Sequence, residues 1–279
     1  MTDDSAGWYA GVDTDDPGAV RTAIETGTAD APADWPSRAV ESGAFPDREA
    51  YYDSLHEATT AAVRQQVRER ERADDQQLVH AVRSMDDARR TANELAERVT
   101  EWGQSRFGDD GSGIEYARRV TDRDSEDPTE AELVGLAETV VAMDERADSL
   151  RATIESTTPA VAPNLAAMAG PVLAARLISL SGGLGSLAKS TSGTVQLLGA
   201  ESALFAHLQG NAPSPKHGVI YTHEYVRGTH PDERGSAARA LAGKLTIAAR
   251  VDHYSGERRP ELQAELDDRI ERIRSRGEE

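Results

Sequence analysis

Three groupings of residues have types and spacings that could do chemistry. The run Gly183-Leu-Gly-Ser-Leu-Ala-Lys189-Ser190 has the outline of a phosphate-cradling loop, in which backbone N–H groups wrap an anion and a lysine reaches it. Ala188 stands where such a loop needs glycine, because a Cβ hinders that backbone wrap. Such a loop also follows a buried strand, whereas Pro171 to Leu180 has helical apolar spacing, so nucleotide hydrolysis is disfavoured. His217, His223 and His230 with Glu224 offer metal-ligand chemistry. Steps of six and seven residues do not gather ligands on one face as an i, i+4 helical pair does, so a metal site is not expected. The third grouping is electrostatic. All three lysines, Lys189, Lys216 and Lys244, and five of the seven histidines fall within residues 159–258. That stretch holds nine Lys/Arg against six Asp/Glu, in a chain whose formal charge is −18. A surface that meets something anionic is the reading. No Ser/His/Asp set has a nucleophile-elbow context, so the chain reads as a non-enzyme without cofactor or metal.

The elements that must position these residues lie in an acidic, arginine-dominated chain. It has 49 Asp+Glu, and its 31 basic residues include only three lysines. High acid and few aromatics suit disorder, but the apolar positions are periodic through most of the chain, which favours a folded protein with an acidic coat. Such a coat suits molar salt, where charges are screened within about 3 Å, and a salt-loving microbial source is expected. No apolar run approaches the length of a membrane span, and the N-terminus MTDDSAGWYAG is acidic and polar. A cytoplasmic protein is expected. The absence of cysteine excludes disulfides, cysteine-ligated zinc and thiol chemistry.

Four stretches differ in character. Residues 1–72 are irregular at first, rich in Gly, Pro, Asp and Thr, and hold six of the thirteen aromatics: Trp8, Tyr9, Trp35, Phe45, Tyr51 and Tyr52. They turn helical from about Asp47. From Asp74 to Phe107, Leu78, Val82, Met85, Ala88, Ala92, Leu95, Val99 and Trp102 step by three and four residues, a heptad seam. A Gly/Asp-rich break at Gly108–Gly113 ends it, and a second seam runs through Leu133, Leu136, Val140, Met143, Ala147, Leu150 and Ile154. Residues 73–158 thus read as an antiparallel coiled-coil arm, in which Leu78, Val82, Met85, Leu95 and Val99 facing Leu133, Val140, Leu150 and Ile154 are expected to build the seam and to mediate homodimerisation. Residues 159–258 are dense in Ala, Leu and Gly with helical spacing, and Gly218-Val-Ile-Tyr221 is the one β-like piece. Ala237 to Tyr254 reads as a long helix projecting Arg239, Lys244 and Arg250. A last helix, in residues 259–279, carries Leu262, Leu266, Ile270 and Ile273 as its stripe.

The run Ala162-Pro-Asn-Leu165, GPVLAARLISLSGGLGSLAKS from Gly170, VQLLGAESALFAHL from Val195 and KHGVIYTHEYVRGTHPDERGSAARALAGKLTIAARVDHYSG from Lys216 resemble, in that order, the Nop domain. This is the domain of archaeal and nucleolar box C/D ribonucleoprotein scaffolds and of a related spliceosomal factor. Upstream, the helix ending in Glu101-Trp102 before Phe107 is similar to the family's central segment. The resemblance implies a mainly α protein. It would comprise a small N-terminal α/β domain, the antiparallel coiled-coil arm, a compact all-α Nop domain and a C-terminal helix.

The function implied is a non-catalytic scaffold for guided 2′-O-methylation of RNA. Its implied partners are a box C/D guide RNA with a kink-turn, a ribosomal-protein-like kink-turn binder, the methyltransferase fibrillarin docked on the N-terminal domain, and a second copy of itself. The positions that match the family's RNA-facing surface are Lys189, Gln196, the helix from Gly199 to His207 with Glu201, and Lys216-His217. Arg234, Arg239 and Lys244 are supports that could equally be ion-paired within the domain. Ser190-Thr191, Ser202, Ala206 and Ser236 depart from the family pattern, and the last three remove positive charge. A Nop-like interaction protein that no longer recruits fibrillarin is the alternative, given the diverged residues 1–72.

Overall fold

A computed structural model describes residues 7–14, 16–27 and 31–276. They form fourteen α-helices and one 3-10 turn, with no β-strand among the described residues. The chain divides into two units, Met1–Ala73 and Asp74–Glu279. The first holds α1 (Pro17–Thr26), α2 (Trp35–Glu41) and α3 (Arg48–Arg72). Each starts on an aspartate, Asp16, Asp34 or Asp47, whose carboxylate accepts from a backbone N–H of the first turn. Tyr9, Phe45 and Tyr51 are buried against Trp8 and Trp35, with Phe45 and Tyr51 edge-to-face at 5.4 Å. The α/β expectation for this domain is therefore corrected: among the described residues it is helical. The Asp and Pro residues that read as irregular sequence are helix starts, and five of the six aromatics fill one small core.

In the second unit, α4 (Asp74–Phe107) and α6 (Pro128–Val161) each run 34 residues, roughly 50 Å at the usual helical rise. They are antiparallel: Arg106 at the end of α4 pairs with Glu130 at the start of α6 at 2.8 Å, and mid-helix Arg89 pairs with Asp148 at 2.6 Å. Asp127 starts α6 by accepting from the Thr129 and Glu130 amides, with Pro128 at the first helical position. Leu78, Val82, Met85, Ala92 and Val99 are buried, as are Leu133, Val140, Ala147 and Ile154, while Leu95 and Leu150 are half-buried beside them. The seam is closed within one chain, so the expectation that its side chains also join a second copy is corrected: they are already covered by the facing helix.

Two seam positions are corrected, since Trp102 and Met143 are 36% and 37% exposed. The reason is a helix that the spacing did not reveal. The connection between α4 and α6 folds as α5 (Gly113–Thr121) and inserts Tyr116, Ala117 and Val120 into the arm. Gly103, not Trp102, faces it: a Cβ there would collide with the Tyr116 hydroxyl. That hydroxyl donates to Asp109 at 2.7 Å, and burial followed by this bond pushes it up to about 12. Asp144 of α6 is buried between Arg118 of α5 at 2.8 Å and Arg89 of α4 at 3.7 Å, so one carboxylate ties three helices.

The rest of the unit packs around α13 (Arg234–Tyr254), whose alanines let α7 (Pro163–Ala169), α9 (Leu184–Lys189), α10 (Ser192–Leu197), α12 (Glu224–Arg227) and α14 (Glu261–Arg276) approach closely. With α8 (Pro171–Leu180) they bury Leu165, Leu177, Ile178, Leu187, Leu241 and Leu245. The stripe Leu262, Leu266, Ile270 and Ile273 of α14 belongs to this same core. The β-like reading of Gly218–Tyr221 is corrected: Val219–Thr222 is a 3-10 turn burying Ile220, so its apolar run answers a core contact rather than a sheet. Among the described residues no single helix is long and apolar enough to cross a membrane.

Neither α7 nor α9 has a capping side chain of its own. Asp252 of α13 supplies one for α7, accepting from the Asn164 and Leu165 amides at 3.0 and 2.9 Å and from Asn164 Nδ2 at 2.6 Å. Asp75 of α4 supplies the other, accepting from the Leu184 amide at 2.8 Å. Asp252→Ala strands these buried donors and should cost about 3 kcal/mol, read as a fall in the urea midpoint at unchanged slope. A loss below about 0.5 kcal/mol would contradict the capping role.

Candidate nucleic-acid interface

The non-acidic stretch folds so that several of its polar residues meet. After α11 (Glu201–Leu208) the chain returns to the end of α10, where Gly218 and Val219 donate to the Gln196 and Leu198 carbonyls at 2.8 and 2.7 Å. Gln196 Nε2 donates to the Lys216 carbonyl at 2.7 Å, which fixes the backbone that carries Lys216 and His217. Glycine is required at 218, where a Cβ would collide with the Leu198 carbonyl oxygen. The 3-10 turn then brings Tyr221 beneath His217, with ring centroids 4.6 Å apart and planes 19° from parallel. The Arg234 guanidinium lies 5.6 Å from the same tyrosine ring, and its Nε donates to the Thr229 carbonyl at 3.1 Å. Gln196, Lys216, His217 and Arg234 are thus brought together. Tyr221 was not singled out from sequence; its signal was an aromatic four residues after a histidine, lost inside an apparent strand.

The other candidates lie elsewhere. Lys189 is exposed at the end of α9, and Arg250 donates to the neighbouring Ala188 carbonyl at 3.1 Å. Arg234 and Arg250 are roughly 24 Å apart along α13 at 1.5 Å per residue, so Lys189 is near the opposite end of that helix. Glu201 accepts from the Gly199 amide at 2.8 Å and organises the start of α11. Arg239 is exposed along α13. Lys244 is not presented outward: it is ion-paired with Glu265 of α14, its side chain 19% exposed. Beyond the charged groups, α11 exposes Phe205 and Leu208.

Burial holds the His217 imidazole below its ordinary pKa, and the Arg234 and Lys216 charges act in the same direction. At neutral pH His217 is therefore an uncharged ring rather than a cation. His223 is also held down, by burial. Its Nε2 lies 3.0 Å from the Met168 carbonyl and its Nδ1 accepts from the Tyr225 amide at 3.1 Å, an arrangement that needs the neutral ring. It starts α12 and is not available as a ligand. His230 sits 3.7 Å from Asp232, and among the described residues no three His, Asp or Glu side chains gather as a metal site. Tyr225, pushed up to about 12 by burial and by its bond to Asp267, ties α12 to α14.

A family model described as the Nop family, "snoRNA binding domain, fibrillarin", matches residues 74–274. The chain belongs to the Nop family. A NOP5 family protein of Methanocaldococcus jannaschii is 31% identical over 271 residues, covering 84% of this chain and 66% of that protein. Nucleolar protein 58 of Homo sapiens is 36% identical over 149 residues, covering 52% and 28%. Nucleolar protein 56 of Saccharomyces cerevisiae is 44% identical over 97 residues, covering 35% and 19%. The Nop chain thus spans just under two thirds of the archaeal relative and much less of these nucleolar ones. Among solved structures, a chain of a fibrillarin/Nop5p complex aligns with a TM-score of 0.54 at 22% identity, covering 91% of this chain and 92% of that one. That likeness concerns the fold.

Both depressed histidines make a testable sign. The folded chain prefers the neutral ring, so the unfolded chain binds more protons once pH falls below 6.5. That contribution to stability is fully present above 6.5 and is lost as pH falls toward the folded values. Thermal melts at pH 7.5 and 5.5 should show lower stability at the acidic pH, and His223→Gln, which keeps an acceptor and a donor, should shrink the difference. An equal difference in that variant would contradict the assigned role of His223.

Proposed function

We propose that this Nop protein is a non-catalytic scaffold of a box C/D ribonucleoprotein that directs 2′-O-methylation of ribosomal or transfer RNA. The observation that carries the proposal is the meeting of Gln196, Lys216, His217 and Arg234 on one surface, inside the one non-acidic stretch of a chain of charge −18. A small excess of positive charge on so acidic a protein attracts RNA poorly by itself. A composite surface shared with a bound kink-turn protein fits better, with the exposed Phe205 and Leu208 of α11 offering that protein apolar contact. The helical unit Met1–Ala73 is the proposed dock for fibrillarin. The arm would pair two copies through its outer surface, where Trp102 and Met143 are the large apolar side chains left exposed. We place the particle in the cytoplasm of a salt-loving archaeon, where charge screening favours shape and hydrogen bonding over counterion release. The second reading, a Nop protein that no longer recruits fibrillarin, draws on the diverged sequence of residues 1–72.

Reconstitution with fibrillarin, the kink-turn protein and a box C/D RNA, each omitted in turn, tests the whole proposal by methyl transfer to a guided target. Transfer that is indifferent to this chain would overturn it, and RNA assembly without fibrillarin binding would favour the second reading. Lys216→Ala with His217→Ala should weaken binding to the preformed RNA–protein complex by about ten-fold or more, leaving fibrillarin binding untouched. A gel-shift titration in molar salt reads it, and unchanged affinity would remove these residues from the site.

A further inference from the structure

The Tyr221 ring lies beneath His217 within the candidate surface. Tyr221 is half-buried and packs against the main core, and its ring is at the same time stacked against the imidazole and lies 5.6 Å from the Arg234 guanidinium. We propose that Tyr221 is a positioning residue that holds the His217 ring flat as a ledge for one unpaired nucleobase. This rests on the scaffold reading above and names what the site takes: a base face rather than a phosphate.

Four observations meet in it. The His217 backbone is fixed on both sides, by the Gln196 bond to the Lys216 carbonyl and by the Gly218 amide on the Gln196 carbonyl. The ring is parallel to Tyr221 within 19°, an offset stack that selects one orientation of a side chain otherwise free to rotate. The charged groups acting on it are Arg234 from α13 and its neighbour Lys216, both cationic, while α10 contributes the uncharged Gln196. A partly buried imidazole that also feels two nearby cations is held neutral, which suits a π-face for stacking and leaves the phosphate contact to Lys216. An aromatic stack is indifferent to molar salt, where a phosphate contact loses most of its value.

Two measurements on the full chain test this. The first is the titration of the His217 ring protons by NMR in the free protein. In Tyr221→Phe, which keeps the ring, the midpoint should stay where it is in the wild type. In Tyr221→Leu it should rise toward the ordinary histidine value as the imidazole is released to water. The second is a gel-shift titration onto the kink-turn RNA bound by its protein, with substitutions that leave Tyr221 in place. His217→Phe should bind within two-fold of wild type and His217→Lys about ten-fold more weakly. A His217→Lys variant that binds as tightly as wild type overturns the ledge in favour of a phosphate contact. An unmoved midpoint in a folded Tyr221→Leu protein overturns the positioning role alone. Failure of the wild type to bind the RNA–protein complex overturns the scaffold reading and the ledge together, while the titration still decides what Tyr221 does to His217.

Discussion

Asp252 is 8% exposed at the end of α13, and its two oxygens accept from three donors of Asn164 and Leu165. Burying a carboxylate without partners costs several kcal/mol, so it persists only where donors converge. Here they converge because α7 begins without a capping side chain of its own. Asn164 extends the node: its Nδ2 also donates to the Glu257 carbonyl at 2.8 Å, and its Oδ1 accepts from the Arg259 amide at 2.7 Å. One residue pair therefore fixes the end of the arm, the central helix and the approach to α14. Asp75 repeats the device between α4 and α9. Two short helices of this core, α7 and α9, are thus started by carboxylates borrowed from long ones.

The long elements were legible because their signal is repeated. In α4 and α6 the heptad steps gave both helices and their pairing, and in α14 the stripe gave the buried face. What stayed hidden was short or depended on a partner. In α5 only Tyr116, Ala117 and Val120 are buried, too few for a period to declare itself, so the outward turn of Trp102 followed from a helix that was not seen. Val-Ile-Tyr at 219–221 has strand-forming residues but no neighbouring strand among the described residues, and its hydrogen bonds go to the end of α10. The N-terminal residues have helix caps in plain view at Asp16, Asp34 and Asp47, yet the resemblance outweighed them and suggested a sheet.

The candidate interface divides the same way. Lys216 and His217 were legible as neighbours in sequence, and Gln196 by resemblance. Which lysines would remain outward was not, because charge pairing is decided in three dimensions. Lys244 looks like Lys189 in sequence, but its helix faces Glu265 on α14. Lys189 ends α9 and is exposed. Tyr221 shows the same limit from the other side, since a stacking partner is recognisable only once the turn between it and His217 is known.

The arm is a lever, and levers magnify. Beyond Asp86 the two helices, braced across their width by Asp144, run on for roughly 30 Å, so a tilt of one degree at the root displaces the tip by roughly 0.5 Å. Its root is held by Asp75 on the Leu184 amide, by Arg176 on Asp86 and by the packing of α8 against both arm helices. Tolerances at that joint thus set the accuracy with which anything carried on the arm is aimed. A substitution there that leaves the surface residues untouched would still spoil alignment at a distance, as a loose mounting spoils a telescope whose lenses are perfect.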